Sequence, residues 1–219
     1  DNNGNCVKNP CQNIKLQIQN PRYTTQANEL KEKTGLRKET GYKQNKDGNQ
    51  VSLTQTNGGH SLTIPIDNNT VGYMHTHLND FNVGDTDGDG IDDTIEPIRM
   101  FSPADIIKFL QMVKNSKFNG VPTHLVYATM ISSIGNYTLR FNGNIDFSIT
   151  HLKSANDYRA EYKKYFEEDY KNNNERAFLN FLKDIIKVEG VNLYRIRNNG
   201  DIEKKTLNDN KKVDTNDCE

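Results

Sequence analysis

Between Gly72 and Ile106 the chain reads GYMHTHLNDFNVGDTDGDGIDDTIEPIRMFSPADI: two histidines one residue apart, a run of carboxylates, then Ser-Pro-Ala-Asp. Side chains alternate along a strand, so His75 and His77 would share one face. A helix opening at Ser-Pro-Ala-Asp would offer Asp105 in its first turn, with Ser102 three residues before it. Two imidazoles and a carboxylate form the donor set of an open catalytic zinc site, in which a fourth position is left for water. Each part has a plainer reading when taken alone. His-Thr-His could be a half-buried strand face, and Ser102 with Asp105 a capping box.

The acidic run asks for a different ion. Asp85 to Glu96, DTDGDGIDDTIE, fits the twelve-residue calcium loop position by position. Asp85, Asp87 and Asp89 stand at positions 1, 3 and 5, and Gly90 at the sharp turn. Ile91 would give its carbonyl at 7, with Asp93 at 9 and Glu96 at 12 to bind through both oxygens. Oxygen donors suit calcium, whereas imidazoles suit zinc, so the pattern implies two separate metals. LNDFNVG before the loop is no obvious helix and Pro97 follows Glu96, so a free-standing calcium loop is expected rather than an EF-hand.

HTH…SPAD, with KETGY upstream, resembles the JAMM (MPN+/JAB) zinc metalloprotease motif, E…H-x-H-x(7)-S-x-x-D. The resemblance spans roughly Asn28 to Ile149. It implies zinc on His75, His77 and Asp105, Ser102 holding the oxyanion, and an upstream glutamate as general base for a zinc-activated water. Glu39, two residues before Gly41 and read as part of a strand, is the candidate base, with Glu29 and Glu32 as competitors. The sequence departs from the motif in two places. Leu78 stands where proline often follows H-x-H, and 24 residues separate His77 from Ser102 instead of seven. The extra 17 carry the acidic loop.

These residues need elements to hold them. Residues 1–13 read as an irregular arm, Thr24 to Gly35 as a short helix, and LRKETGYKQ and VSLTQT as two strands around Asp-Gly. SLTIPI and VGYMHTH follow as strands. SPADIIKFLQMVKNS reads as a helix capped by Ser102, with Ile106, Ile107, Leu110 and Val113 as its apolar stripe. THLVYATMI, NYTLRF and IDFSI read as strands, and 155–187 as two amphipathic helices. VNLYRIRNNGDIEKKTL reads as a hairpin at Asn199-Gly200, and 208–219 as a loose tail. The expectation is a mixed α+β fold: a JAMM/MPN-like (cytidine-deaminase-like) sheet flanked by helices over 14–153, with the calcium insertion at 78–101. A helical and hairpin extension occupies 154–207.

The 219 residues carry a net charge of −1, which argues against a nucleic-acid footprint. Seven carboxylates fall between Asp80 and Glu96 without one basic residue, leaving the remainder near +6. No stretch reaches the ~18 apolar residues of a membrane span. Apolar residues are 33%, so a core is expected to be small. Cys6, Cys11 and Cys218 all lie in the tails, far from the histidines. They suit a Cys6–Cys11 or a tail-to-tail bridge to Cys218 in an oxidising compartment, and with it an exported protein. The resemblance implies a zinc hydrolase of peptide or isopeptide bonds acting on a peptide or protein, and the acidic loop adds calcium to stabilise it. The alternative is a catalytically inactive, calcium-stabilised scaffold of the same fold.

Overall fold

A computed structural model describes residues 9–56 and 62–218; Cys6 and Ser61 lie outside them. The fold is α+β, built on one large mixed sheet with helices on both faces. The sheet begins at the edge strand β2 (Gln50–Ser52) and runs through β1 (Gly41–Asn45), β5 (Thr70–Thr76), β8 (Tyr127–Ser132) and β9 (Gly135–Phe141). Two small ladders lie outside it, β3 (Thr54–Gln55) with β4 (Leu62–Thr63), and β6 (Phe81–Gly84) with β7 (Asp93–Ile95). The sheet continues through β10 (Val191–Ile196), β11 (Ile202–Leu207) and β12 (Val213–Asp217), in the order β12-β11-β10-β9-β8-β5-β1-β2.

Every neighbouring pair is antiparallel except β5 and β8. A parallel pair needs a crossover, and a helix supplies it here. The helices in chain order are α1 (Pro10–Ile18), α2 (Pro21–Glu32), α3 (Pro103–Phe118), α4 (Ile145–Ser148), α5 (Arg159–Lys164) and α6 (Asn174–Phe181). α3 is the crossover. Ser102 caps it and Pro103 fills its first turn, where a missing N–H costs nothing. It buries Ile106, Phe109, Leu110, Met112 and Val113 against Ala128, Met130 and Leu139 of the sheet, and against Phe178 and Phe181 of α6. α1 and α2 cover the opposite face, where Tyr23 and Leu30 meet Met74, Tyr127 and Ile131. With both faces covered, all of β5 and β8 is buried.

The structure corrects several sequence readings. The arm ends in α1 because Asn9 accepts a bond from Cys11 N and Pro10 starts the helix. IDFSI is helical over Ile145–Ser148, where the Asn144 side chain accepts from Asp146 N. The strand read at LRKETGYKQ begins only at Gly41. The loose tail is instead an edge strand, β12, paired with β11 through five residues from Val213 to Asp217. Cys218 then bonds Cys11, so the tail-to-tail bridge is the one formed. No helix among the described residues is long and apolar enough to cross a membrane.

That bridge joins two cysteines 207 residues apart, beside the small cluster of Ile14, Tyr194, Ile196 and Ile202. Replacing both with serine should lower unfolding free energy by about 2–5 kcal/mol, since the unfolded chain regains the freedom the bridge removes. Urea denaturation of the double variant and of reduced wild type should give matching losses.

Candidate metal centre

β5 is buried along its whole length, and Tyr73 and His75 point from it toward α3. His77 lies one residue past the strand but keeps its line, because its N–H donates to Ile131 O at 2.8 Å. The two imidazoles therefore face the same way, with their Nε2 atoms 3.1 Å apart. The first turn of α3 brings the third group. Asp105 Oδ1 is 3.4 Å from His75 Nε2, and Oδ2 is 3.8 Å from His77 Nε2. All three side chains are buried.

The capping box and the ligand set are the same residues. Asp105 Oδ2 accepts from Ser102 N and from Ser102 Oγ, each at 2.8 Å, while Ser102 Oγ accepts from Asp105 N at 3.2 Å. The cap thus fixes the carboxylate's plane. Tyr73, two residues before His75 on the same face, donates its hydroxyl to Asp105 O at 3.0 Å. Tyr162 of α5 donates to Met100 O at 3.1 Å and steadies the approach to the cap. Sequence reasoning missed both tyrosines. The period of two from His75 was a signal for Tyr73, whereas nothing local marked Tyr162.

Glu39 reaches this centre from the segment leading into β1. Thr40 O accepts from Thr76 N and Thr40 N donates to Thr76 Oγ1, both at 2.9 Å. The register then sets Gly41 opposite His75. A Cβ on Gly41 would stand 2.5 Å from Met74 O and 2.9 Å from His75 Cβ, so only glycine lets β1 lie this close. One ligand atom from each of Glu39, His75 and His77 lies within 4.8 Å of the others. The competitors lie elsewhere: Glu29 binds Lys33 and the Tyr42 hydroxyl, and Glu32 is exposed on α2.

Charge and burial set the protonation states. Burial pushes the half-buried Glu39 up to about 7, with His77 opposing and Asp105 adding to the rise. Burial pulls His75 down to about 4 against the attraction of Asp105, and His77 lowers it further. Burial also acts to lower His77, but the Asp105 bond and then the Glu39 charge outweigh it, so His77 is raised. Burial disfavours the Asp105 carboxylate, yet the histidines hold it well below the usual range.

The donor set fits a zinc ion. Ligands at ~2.0–2.1 Å in a tetrahedron stand roughly 3.3 Å apart; the 3.1 and 3.4 Å separations lie near that edge, and the 3.8 Å from His77 Nε2 to Asp105 Oδ2 exceeds it. His77 Nδ1 sits 2.9 Å from Ile98 O, so Nδ1–H donates there and Nε2 keeps its lone pair toward the site. His75 Nδ1 has no partner among the described residues.

The acidic insertion leaves and returns beside this centre. Arg99 clamps its base, donating to Leu78 O at 3.2 Å and to Asp80 at 2.6 Å. Within it, β6 and β7 form a hairpin with Asp85, Asp87 and Asp89 gathered at the turn, their oxygens within 4.8 Å of one another. Positive φ at Gly88 and Gly90 shapes that turn. Ile91 is exposed there. Asp93 bonds Thr86, and neither it nor Glu96 joins the gathered carboxylates. β7 is extended from Asp93 to Ile95, and at roughly 3.3 Å per residue it carries Glu96 away from the turn. Position 12 of the loop, Glu96, is therefore not brought to the gathered carboxylates.

If the centre takes zinc, His75→Ala or His77→Ala should abolish its stoichiometric uptake with the far-ultraviolet dichroism kept, because the sheet is held by its own ladder and core. Zinc affinity of the wild type should rise between pH 5.5 and 7.5, since His77 must lose its proton to bind. Calorimetric titration at both pH values checks the sign, and equal affinities would contradict it.

Comparison of the chain with protein-family models, with curated proteins and with solved structures finds no match.

Proposed function

We propose that the protein is a zinc-dependent hydrolase of amide bonds in peptides or proteins, of the JAMM kind that its H-x-H…S-x-x-D residues resemble. The observation that carries this reading is the convergence of His75, His77 and Asp105, with the Glu39 carboxylate beside the two histidines. Zinc held there would polarise a carbonyl and make water a nucleophile near neutral pH.

The chain's own residues supply the rest. Glu39, raised to about 7 and taking no hydrogen bond from another described residue, can accept a proton at its carboxylate and return it to a leaving nitrogen. The Ile98 carbonyl and the Ser102 cap hold His77 and Asp105 in orientation. For Ser102 to donate to a developing oxyanion, its O–H must leave Asp105 Oδ2. The Ser102 N–H would still hold that carboxylate. A groove of about 810 Å³ runs from Ile98 and Arg99 past Tyr137, Glu175 and Arg195; it is lined by none of the centre's side chains and meets the centre only through Ile98, whose carbonyl faces His77. Its size suits an extended peptide segment.

The gathered Asp85, Asp87 and Asp89 are proposed to take calcium, resting on the twelve-residue pattern of the loop as well as on their placement. The Cys11–Cys218 bridge supports an exported protein.

Glu39→Gln should keep stoichiometric zinc and lose amide hydrolysis by about 10²–10⁴-fold, the usual weight of a general base. A peptide-library cleavage assay with metal analysis reads both. Zinc bound with no cleavage of any peptide by the wild type would favour a scaffold.

Asp87→Ala should remove calcium binding without displacing zinc, because the two donor sets share no residue. Millimolar calcium should raise the melting temperature of the wild type and not of Asp87→Ala. An unchanged melting temperature in both up to ~10 mM, above the range of weak extracellular sites, would leave the loop without a metal.

A further inference from the structure

On the face of the sheet away from the histidines, β9 places Arg140 beneath α1. Its side chain is buried, at 3% exposure. One guanidinium nitrogen, Nη1, donates to Leu125 O at 3.4 Å, and Nη2 donates to Gln17 Oε1. Its plane lies over the Tyr127 ring, 5.3 Å from the centroid. Nε has no partner, and no carboxylate stands within ion-pair distance among the described residues. Burial lowers Arg140 to about 10, which leaves it charged at neutral pH. Buried charges are ordinarily paired, because a lone ion loses its hydration without return.

Arg140 lines a cavity of about 300 Å³ between α1, α2 and the sheet. Three of the side-chain acceptors around it are already engaged. Gln17 Oε1 takes Arg140, Gln44 Oε1 takes the Tyr127 hydroxyl at 2.8 Å and Gln50 Nε2 at 3.1 Å, and Asn20 Oδ1 takes two backbone N–H groups. Donors are in surplus. Asn13 Nδ2, on a residue 7% exposed, has no partner, and Lys46 adds a positive charge at the exposed rim. A buried cation with an unpartnered Nε and a spare amide donor call for an anionic guest.

We propose that this cavity binds a small free oxyanion, phosphate or carboxylate in chemistry, for which Arg140 is the counter-charge and Asn13 a second donor. At about 300 Å³ the space admits such an ion together with its water, and the unpartnered donors rather than the volume select it. The site is on the opposite face from the metal centre and is independent of the hydrolase reading.

The test uses inorganic phosphate and acetate at constant ionic strength in chloride, with calorimetry on the full chain. Wild type should show saturable one-to-one heat with at least one of them. Gln17→Glu puts a carboxylate where Arg140 already bonds, so it should weaken binding about tenfold or more and raise the melting temperature of the anion-free protein. Phosphate bound at the histidines would be insensitive to residue 17. Absence of saturable heat from either anion, or an unchanged Kd in Gln17→Glu, would overturn the proposal. Should Gln17→Glu fail to fold, Asn13→Leu removes the spare donor instead, and unchanged binding there overturns it equally.

Discussion

The Asp105 carboxylate answers two needs at once, and the arrangement of the centre follows from that sharing. One oxygen closes the N-terminal cap of α3 through Ser102, and both face the histidines at the end of β5. A helix start with free N–H groups attracts negative charge, so the cap itself favours the ionised carboxylate. The same ionised form is the one a cation needs. Helix capping and a ligand role for Asp105 would therefore not compete.

The parallel pairing of β5 with β8 is what makes the sharing geometrically available. Parallel strands force the chain to cross over, and α3 is that crossing. Its first turn must then lie near the carboxyl end of β5, where His75 and His77 stand. Tyr73 ties the two elements with one bond, from β5 to the Asp105 carbonyl. Glu39 comes from the antiparallel neighbour on the other side, and Gly41 sets how closely. Three elements thus meet at one point, and only the histidines are adjacent in sequence.

What was legible in the sequence follows the range of the interaction involved. The histidine face and the α3 cap are local, set by period two and by a four-residue box, and both are where the spacing placed them. The hairpin at Asn199-Gly200 is equally local. Glu39 was legible through the family resemblance, because 35 residues lie between it and His75 and no local pattern joins them. The edge strand β12 was not legible. VDTND has no apolar alternation, since an outer strand is held by backbone bonds and its side chains are largely exposed. IDFSI alternates like a strand, yet a single Asn144 cap bond begins a helical turn there. The carbonyl of Ile98 is backbone and leaves no mark in residue type at all.

The insertion shows why a motif can tolerate 17 added residues without losing its geometry. Distance along the chain matters only if the ends of the added segment are free, and here they are joined. Arg99 binds the Leu78 carbonyl and the Asp80 carboxylate, so the chain returns next to where it left. Asn79 N donates to Thr34 O at 2.9 Å and pins the outgoing arm to the end of α2. β6 and β7 then pair with each other rather than with the sheet, so the hairpin draws nothing from the ladder that holds His75. The returning arm also supplies the Ile98 carbonyl to His77. The added segment is consequently part of the centre's support, and its charge-rich turn is carried outward, where Asp85, Asp87 and Asp89 stand exposed.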